Sequence, residues 1–457
     1  MSLPAAKSAV VIGAGITGLT AAHSLAKTGW RVRVLEASGR VGGAIGTERQ
    51  NGWLVERGPN TILSGESAVT QLIDDLQLGD ERIYAAAEAK NRYIVRDGRP
   101  VAAPLGPKQF LTSPLFSTYG KLRAACDLFA RRRMRSADVS LATLVRSHFG
   151  TEFVSYALDP FVSGVYAGDP AKLSAKYSFP KLWEAERTVG SLLRGQIAAA
   201  KARKARGEPA PRIFSFRDGL QTLPDALVRA LPDDTLRLNV SIDALIPGST
   251  WSVVWHDASG ATHTESCDAV VVAVPAPALA QLRVGALGER PLALLETMEH
   301  PPVSSLFLGF ARADIAHPLD GFGLLVPSSE RRQILGALFS STLFPGRAPA
   351  DHVALTVIVG GVRQPGLARL DTGELLATVM PDLEELLGVA GDPVFCRHTF
   401  WPRAIPQYQL GHEAFLSAMA ACERDHPGLF IGGQARDGIA VPACIAAGEN
   451  LARRVTR

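Results

Sequence analysis

The first strongly patterned stretch of the chain is Ser8–Ser38, SAVVIGAGITGLTAAHSLAKTGWRVRVLEAS. Ser8–Ile12 is a short apolar run rich in β-branched residues, the pattern of a buried strand. Ile16, Leu19, Ala22, Leu25 and Ala26 then recur at helical spacing as far as Gly29, a residue type suited to a helix C-terminus. Arg31–Leu35 reads as a second strand. Within 95–206 the pattern becomes mostly helical, over Phe110–Arg135, Ala142–Phe149, Thr151–Leu158 and Val189–Arg206. Leu236–Val240 predicts a strand, and the fully apolar Ala269–Val274 predicts one buried on both faces. Val303–Phe310, Gly321–Val326, Ile334–Phe339 and His352–Gly360 alternate or are apolar throughout, predicting an antiparallel sheet. Leu429–Gly433 predicts a last strand ending in glycines, and Asp437–Gly448 the start of a helix of small residues.

Strand, helix and strand in Ser8–Leu35 form one βαβ unit, with Gly13-Ala14-Gly15-Ile16-Thr17-Gly18 at its first turn. Gly13 permits a tight exit from the strand. Gly15 leaves room for a pyrophosphate against the backbone, and Gly18 lets the helix pack close to the sheet. The helix N-terminus offers free N–H groups and a partial positive charge. Glu36 closes the second strand, where an acid can accept hydrogen bonds from a ribose. A lone GxGxxG also occurs as a plain turn; here every part of the dinucleotide-binding unit stands in order. Arg40, Gly42 and Gly43 follow, either as a further cofactor segment or as a glycine-rich loop without function. Glu56-Arg57-Gly58-Pro59-Asn60-Thr61 predicts a rigid turn.

Composition changes this picture little. At 457 residues the chain can hold two or three domains, and 47% hydrophobic with 20% charged residues is ordinary for a globular protein. A net charge of +4 gives no argument for nucleic acid. Basic residues do cluster, at Arg131-Arg132-Arg133-Met134-Arg135 and Lys201–Arg206, and Lys201–Pro211 is the best linker candidate. No apolar run approaches the length of a membrane span, and MSLPAAKSAV leads directly into the first strand, which predicts no signal or transit peptide. The five cysteines are scattered, predicting reduced buried thiols, and the ten histidines lack ligand spacing, predicting no metal site.

GxGxxG, an acid after the second strand and R-x-GG-x-x-x-T resemble the flavoprotein superfamily of amine oxidases, phytoene desaturases and protoporphyrinogen oxidases. Gly42-Gly43-Ala44-Ile45-Gly46-Thr47 resembles the protoporphyrinogen oxidases in particular. So do Lys90–Ile94, Asp159–Phe161 with Gly164–Pro170, Gly321–Pro327, Leu335–Ser341, Val359–Arg363, and Trp401-Pro402 with Ile405–Tyr408, covering nearly the whole chain in register.

The resemblance implies an α/β fold. It has a Rossmann-like FAD-binding domain of the glutathione reductase and p-hydroxybenzoate hydroxylase type, a mixed-sheet α+β substrate domain, and a helical membrane-associated domain. The expected boundaries are 1–90, 211–295 and 426–457 for the FAD domain, 91–210 for the helical domain, with the Arg92 segment at the substrate site, and 296–425 for the substrate domain. It implies non-covalent FAD, since Ile431–Gln434 has no cysteine. The expected FAD residues are Gly13, Ala14, Gly15, Ile16, Thr17, Gly18, Glu36, Ala37, Arg40, Gly42, Gly43, Gly58, Pro59, Asn60, Val240, Trp401, Gly433, Ile439, Ala440 and Val441. Arg92 is the expected cation for a substrate carboxylate, and Phe161, Gly164, Leu325, Leu338 and Ile358 the expected lining of an apolar slot. Ile358 stands where plant enzymes of the family carry a stacking phenylalanine. Asn60 is a weak candidate for a polar group near the flavin.

The implied reaction oxidises protoporphyrinogen IX to protoporphyrin IX, in haem or chlorophyll synthesis, by three two-electron steps. Each passes a hydride to flavin N5, and dioxygen reoxidises the flavin to give hydrogen peroxide. Alternatives are a coproporphyrinogen III oxidase of the same fold and a non-enzymatic binding protein on the flavoprotein fold. The implied location is the cytoplasmic face of the membrane, with peripheral contact through residues 95–206. A homodimer and handover to a ferrochelatase are further partner expectations.

Overall fold

The computed structural model describes residues 6–132, 135, 137–285 and 287–457. The N-terminal stretch 1–5, and Arg133 and Met134 of the expected basic helix, lie outside the described residues. The chain builds two main sheets and a helical segment between them.

The first sheet is parallel and has five strands. Their spatial order is Leu236–Arg237, Arg31–Leu35, Ser8–Ile12, Ala269–Val272, Leu429–Ile431. Ser8–Ile12 and Ala269–Val272 lie inside it, and Val11, Val270, Val271 and Val272 are fully buried, as apolar strands covered on both faces should be. The Ile16–Lys27 helix covers one face together with Val441–Thr456. These two helices touch through small residues: a Cβ on Gly448 would lie 2.5 Å from the Thr17 carbonyl oxygen. The C-terminal helix begins at Val441 rather than at Asp437, because Pro442 suits the first turn of a helix but not its interior. The expected strand over Leu236–Val240 ends at Arg237, and Asn239 turns the chain at φ 56°.

The second sheet has seven strands. The order is Phe395–Trp401, Val303–Ala311, His352–Gly360, Ile334–Leu338, Gly321–Leu325, Asn91–Arg96, Arg99–Ala102. Five of its six pairings are antiparallel, whereas Gly321–Leu325 and Asn91–Arg96 run parallel. The four strands expected to form an antiparallel sheet do pair antiparallel, and the parallel Asn91–Arg96 strand makes the whole sheet mixed. The Arg92 strand is part of it, although it precedes the helical segment in sequence. One face packs on the Thr372–Leu387 helix, which opens with a capping box at Asp371 and Glu374.

The helical segment differs from its expected form in several ways. Phe110–Arg135 is not one helix: Pro107–Thr112 and Thr118–Ala125 are separate, followed by a 3₁₀ turn at Cys126–Phe129. Pro114 is the cause, since it drives Ser113 into extended backbone at ψ 134°. Thr151–Tyr166 is continuous but widens to a π-turn over Val154–Leu158. Pro160 has no N–H to donate, and a wider turn accommodates the loss. Pro180–Thr188 is a further helix that periodicity did not reveal. The expected linker Lys201–Pro211 is helical as far as Ala205. Cys126 is exposed, against the expectation of a buried thiol.

Candidate functional site

The site has two halves. The first is built from glycine loops at the carboxyl end of the parallel sheet. Gly13 sits at φ 100°, and the Gly13 N–H donates to the Leu35 carbonyl at 2.8 Å, so the chain leaves its strand in the sharp turn that glycine permits. Gly15 caps the Ile16–Lys27 helix without any side-chain hydrogen bond, and a Cβ there would meet nothing within 4 Å. Open space thus lies directly over a helix N-terminus. A Cβ on Gly18 would lie 1.9 Å from the Gly13 carbonyl oxygen, so only glycine closes the loop.

Glu36 is held at the sheet edge by its own neighbours. One carboxylate oxygen accepts the Ala14 N–H at 2.7 Å, and the other accepts the Ser38 N–H at 2.8 Å and the Ser38 hydroxyl at 2.7 Å. Val240 is buried beside it, its N–H donating to the Glu36 carbonyl at 3.0 Å. Ala37 is exposed next to this acid.

The second glycine loop lies on the first. The Gly42 N–H donates to the Ala14 carbonyl at 2.8 Å, Gly42 and Gly43 have φ of 104° and 60°, and a Cβ on Gly43 would be 3.2 Å from Gly15 Cα. Arg40 serves this loop: its guanidinium donates to the carbonyls of Val41, Gly43 and Ile45. Burial and the Arg57 charge pull the Arg40 pKa down. Gly58 packs on the same loop, where a Cβ would be 2.1 Å from the Ala44 carbonyl oxygen. Pro59 and Asn60 are half-buried, and the Asn60 amide donates to the Gly58 carbonyl at 3.2 Å. The Trp401 indole N–H donates to the Arg57 carbonyl at 3.0 Å.

From the C-terminus, the Gly433 N–H donates to the Asp437 carboxylate at 2.8 Å, and a Cβ on Gly433 would lie 3.8 Å from the Thr17 hydroxyl. Ile439 is half-buried, and Ala440 is exposed where it caps the Val441–Thr456 helix, again without a side-chain bond. Two uncapped helix N-termini, a fixed acid and a cradle that Cβ atoms would fill form a donor set that fits a dinucleotide with a flat ring. Ile16 and Thr17 are themselves buried and pack into the core.

The second half is the other face of the seven-stranded sheet. Leu325 pairs with Gly336, which pairs with Ile358, and Leu338 lies two residues beyond Gly336. All three apolar residues therefore share one face. They are half-buried, whereas most of their strand neighbours are fully buried. Ile94 pairs with Leu325, so Arg92, two residues earlier, stands on this face as well. Arg92 is exposed, its guanidinium lies 5.6 Å from the Phe322 ring centre, and among the described residues no carboxylate pairs with it. Its strand is pinned from the opposite face: Asn91 and Tyr93 both donate to Asp320. Burial, then the Asp320 carboxylate, pushes the Tyr93 phenol up to about 12.

The Asp159–Tyr166 helix covers the row. Phe161 is exposed, and a Cβ on Gly164 would be 2.4 Å from Leu325 Cδ2. The two halves meet at a cavity of about 10 Å³, room for one water, lined by Glu56, Asn60, Phe307, Ser340 and Arg347 among others. Burial raises the Glu56 carboxyl to about 7, against hydrogen bonds from Thr47 and the Leu220 N–H and the charge of Arg347.

Sequence reasoning placed no role on Phe322, Arg363 or Tyr408. Phe322 supplies the ring beneath Arg92. Tyr408 joins the two sides of the C-terminal glycine turn, donating to the Gln434 carbonyl and accepting the Gly438 N–H. All three lie in stretches that carried the family resemblance, the signal that could have found them.

A model described as flavin containing amine oxidoreductase matches residues 16–456. The chain is 36% identical to protoporphyrinogen oxidase 2, chloroplastic/mitochondrial, of Arabidopsis thaliana, over 97% of this chain and 92% of that one. It is 30% identical to coproporphyrinogen III oxidase of Staphylococcus aureus, over 98% and 99%. A crystal structure titled putative protoporphyrinogen oxidase from Exiguobacterium superposes with a TM-score of 0.83 at 24% identity, over 98% of both chains, and so shares the fold.

Proposed function

Since this chain belongs to the flavin containing amine oxidoreductase family, we propose that it oxidises a porphyrinogen, and that the substrate is protoporphyrinogen IX. The observation that carries this reading is the open sheet face. It offers an apolar row, Leu325, Leu338 and Ile358, with one unpaired cation, Arg92, at its side. A porphyrinogen is a large apolar macrocycle with propionates on one edge, which such a face fits. Relatives named for this oxidation are similar over nearly the full chain.

In this reading the cofactor is non-covalent FAD, with its pyrophosphate over Gly13–Gly18, a ribose on Glu36 and its ring by Gly43, Gly58, Asn60, Trp401 and Gly433. Bound FAD would supply the hydride acceptor, and dioxygen would reoxidise it, itself being reduced to hydrogen peroxide. The protein's part is to hold the macrocycle by Arg92, to present a bridge carbon, and to exclude water with the Asp159–Tyr166 helix. Three such steps remove six electrons.

The coproporphyrinogen reading has its own support in the Staphylococcus aureus relative. Coproporphyrinogen carries propionates in place of two vinyl groups, and these would meet Leu325, Leu338 and Ile358 without a cation. Burying an unpaired carboxylate is costly. Oxygen uptake with both substrates side by side is therefore expected to favour protoporphyrinogen IX by at least about tenfold in kcat/KM. Equal or reversed preference replaces this reading with the coproporphyrinogen one. Purified protein should show flavin bands at about 370 and 450 nm, and acid should release the colour to the supernatant; a colourless protein sinks both readings.

Peripheral membrane contact through residues 95–206 is part of the same proposal. No helix among the described residues is long and apolar enough to cross a membrane. Large apolar side chains nonetheless stand exposed here among basic ones, with Tyr119 at 78% and Phe129 at 84%. Such a surface suits the interface of the cytoplasmic membrane. Binding to anionic vesicles should weaken as salt rises through about 0.15 M; equal recovery with and without such vesicles ends this part.

A further inference from the structure

Both ends of the helix over the open face are fastened to one turn of the sheet. The Asp159–Tyr166 helix ends at Ala167, in the left-handed region at φ 53°. The Ala167 carbonyl accepts the Val362 N–H at 2.9 Å. At the other end, the Arg363 guanidinium donates to the Asp159 carboxylate at 3.2 Å, to the Ser163 hydroxyl at 2.9 Å and to the Val326 carbonyl at 2.9 Å. The Ser328 N–H donates to the same Asp159 oxygen at 2.6 Å. Gly360 and Gly361 make the turn possible, at φ of 101° and 66°, and a Cβ on Gly361 would be 2.7 Å from the Ala167 carbonyl oxygen.

Apolar packing is non-directional and would not by itself fix the spacing of helix and sheet. A guanidinium fork is directional, and its planar geometry resists a change of spacing. Between the two fastenings, a Cβ on Gly164 would press on the end of the Leu325 side chain at 2.4 Å, so helix and row touch through a side chain that can shift.

We propose that Arg363 is a positioning residue that sets the gap between the Asp159–Tyr166 helix and the Leu325, Leu338 and Ile358 row. The gap in turn sets which porphyrins are admitted. A tight gap excludes water, so extra carboxylates on a macrocycle stay unsolvated and are rejected. A looser gap lets water in and relaxes that rejection. The inference rests on the functional reading above.

R363K keeps the charge and loses the fork. Fluorescence titration of the FAD-loaded protein with protoporphyrin IX and with coproporphyrin III measures binding without turnover. In R363K the Kd for protoporphyrin should rise at least about tenfold, and that for coproporphyrin by less than about threefold. FAD content should not change. S163A, which removes a single acceptor, should shift the ratio in the same direction by less. A merely structural residue would weaken both ligands alike. If R363K loses FAD or melts early, S163A decides by the same ratio. A wild-type protein that prefers protoporphyrin, with an unchanged ratio in the variant, overturns the role of Arg363. A wild-type protein that binds neither porphyrin, or prefers coproporphyrin, overturns the functional reading instead.

Discussion

The two faces of the seven-stranded sheet come from the same strands and differ in what lies over them. On one face Leu306, Leu308, Leu324, Leu355, Val357 and Val359 are fully or almost fully buried against the Thr372–Leu387 helix. On the other, Leu325, Leu338 and Ile358 are only half-buried, although they are just as apolar and alternate with the first set. Adjacent residues such as Leu324 and Leu325 thus do opposite jobs. A filled face is bound by packing, while a face left partly open keeps apolar surface available for a ligand. The same row carries Arg92 at its edge, a charge that a packed interior would not tolerate unpaired.

This comparison can be tested from its strongest side first. Leu355→Ala on the packed face should cost roughly 2–5 kcal/mol of stability, because a cavity opens in a fully buried site. Thermal or denaturant unfolding reads this directly, and a loss under about 1 kcal/mol would mean that this face is loosely filled.

The next test concerns the charge where the open face meets the glycine-loop half. Glu56 ordinarily ionises near 4.5, and burial raises it to about 7 in the folded protein. The folded state therefore binds its proton more tightly than the unfolded chain. Stability from this group is greatest below about pH 4.5, falls by up to about 3 kcal/mol as pH rises to 7, and is flat above. Glu56→Gln should remove that slope between these values. A variant with the wild-type pH profile would show that Arg347, 3.8 Å away, keeps Glu56 ionised.

Arg92→Ala should leave the melting temperature almost unchanged, as the side chain is exposed. It should lose roughly 1.5–3 kcal/mol of porphyrinogen binding, seen as about 10–100-fold in KM with a smaller change in kcat. An unchanged KM would put the substrate carboxylate elsewhere. Leu325→Ala is expected to cost under about 1 kcal/mol of stability, far less than Leu355→Ala, since it loses only partial burial. Its effect should appear in KM instead. A stability loss as large as that of Leu355→Ala would erase the distinction between the faces.

The elements of the glycine-loop half were legible from sequence. Ser8–Ile12, Ile16–Lys27 and Arg31–Leu35 form as the pattern predicts, and Glu36 stands where the acid was expected. These elements are contiguous, their period is local, and Gly13 and Gly18 fit the backbone by having no Cβ. The helical segment was read less well, because Pro114 and Pro160 act against an otherwise helical period. Arg40 stands among the expected FAD residues; the structure shows its guanidinium on the carbonyls of its own loop.

The sequence by itself thus determined the βαβ unit, the apolar strands and the residue types of the site, since those depend on neighbours within a few positions. Only the tertiary structure decided that Asn91–Arg96 joins Gly321–Leu325 in parallel, which puts Arg92 on the face of Leu325, Leu338 and Ile358. It alone decided which face stays open, and that Arg363 ties the covering helix to the sheet. Pairing register and the filling of a face are set by contacts between segments hundreds of residues apart, and no local pattern encodes them.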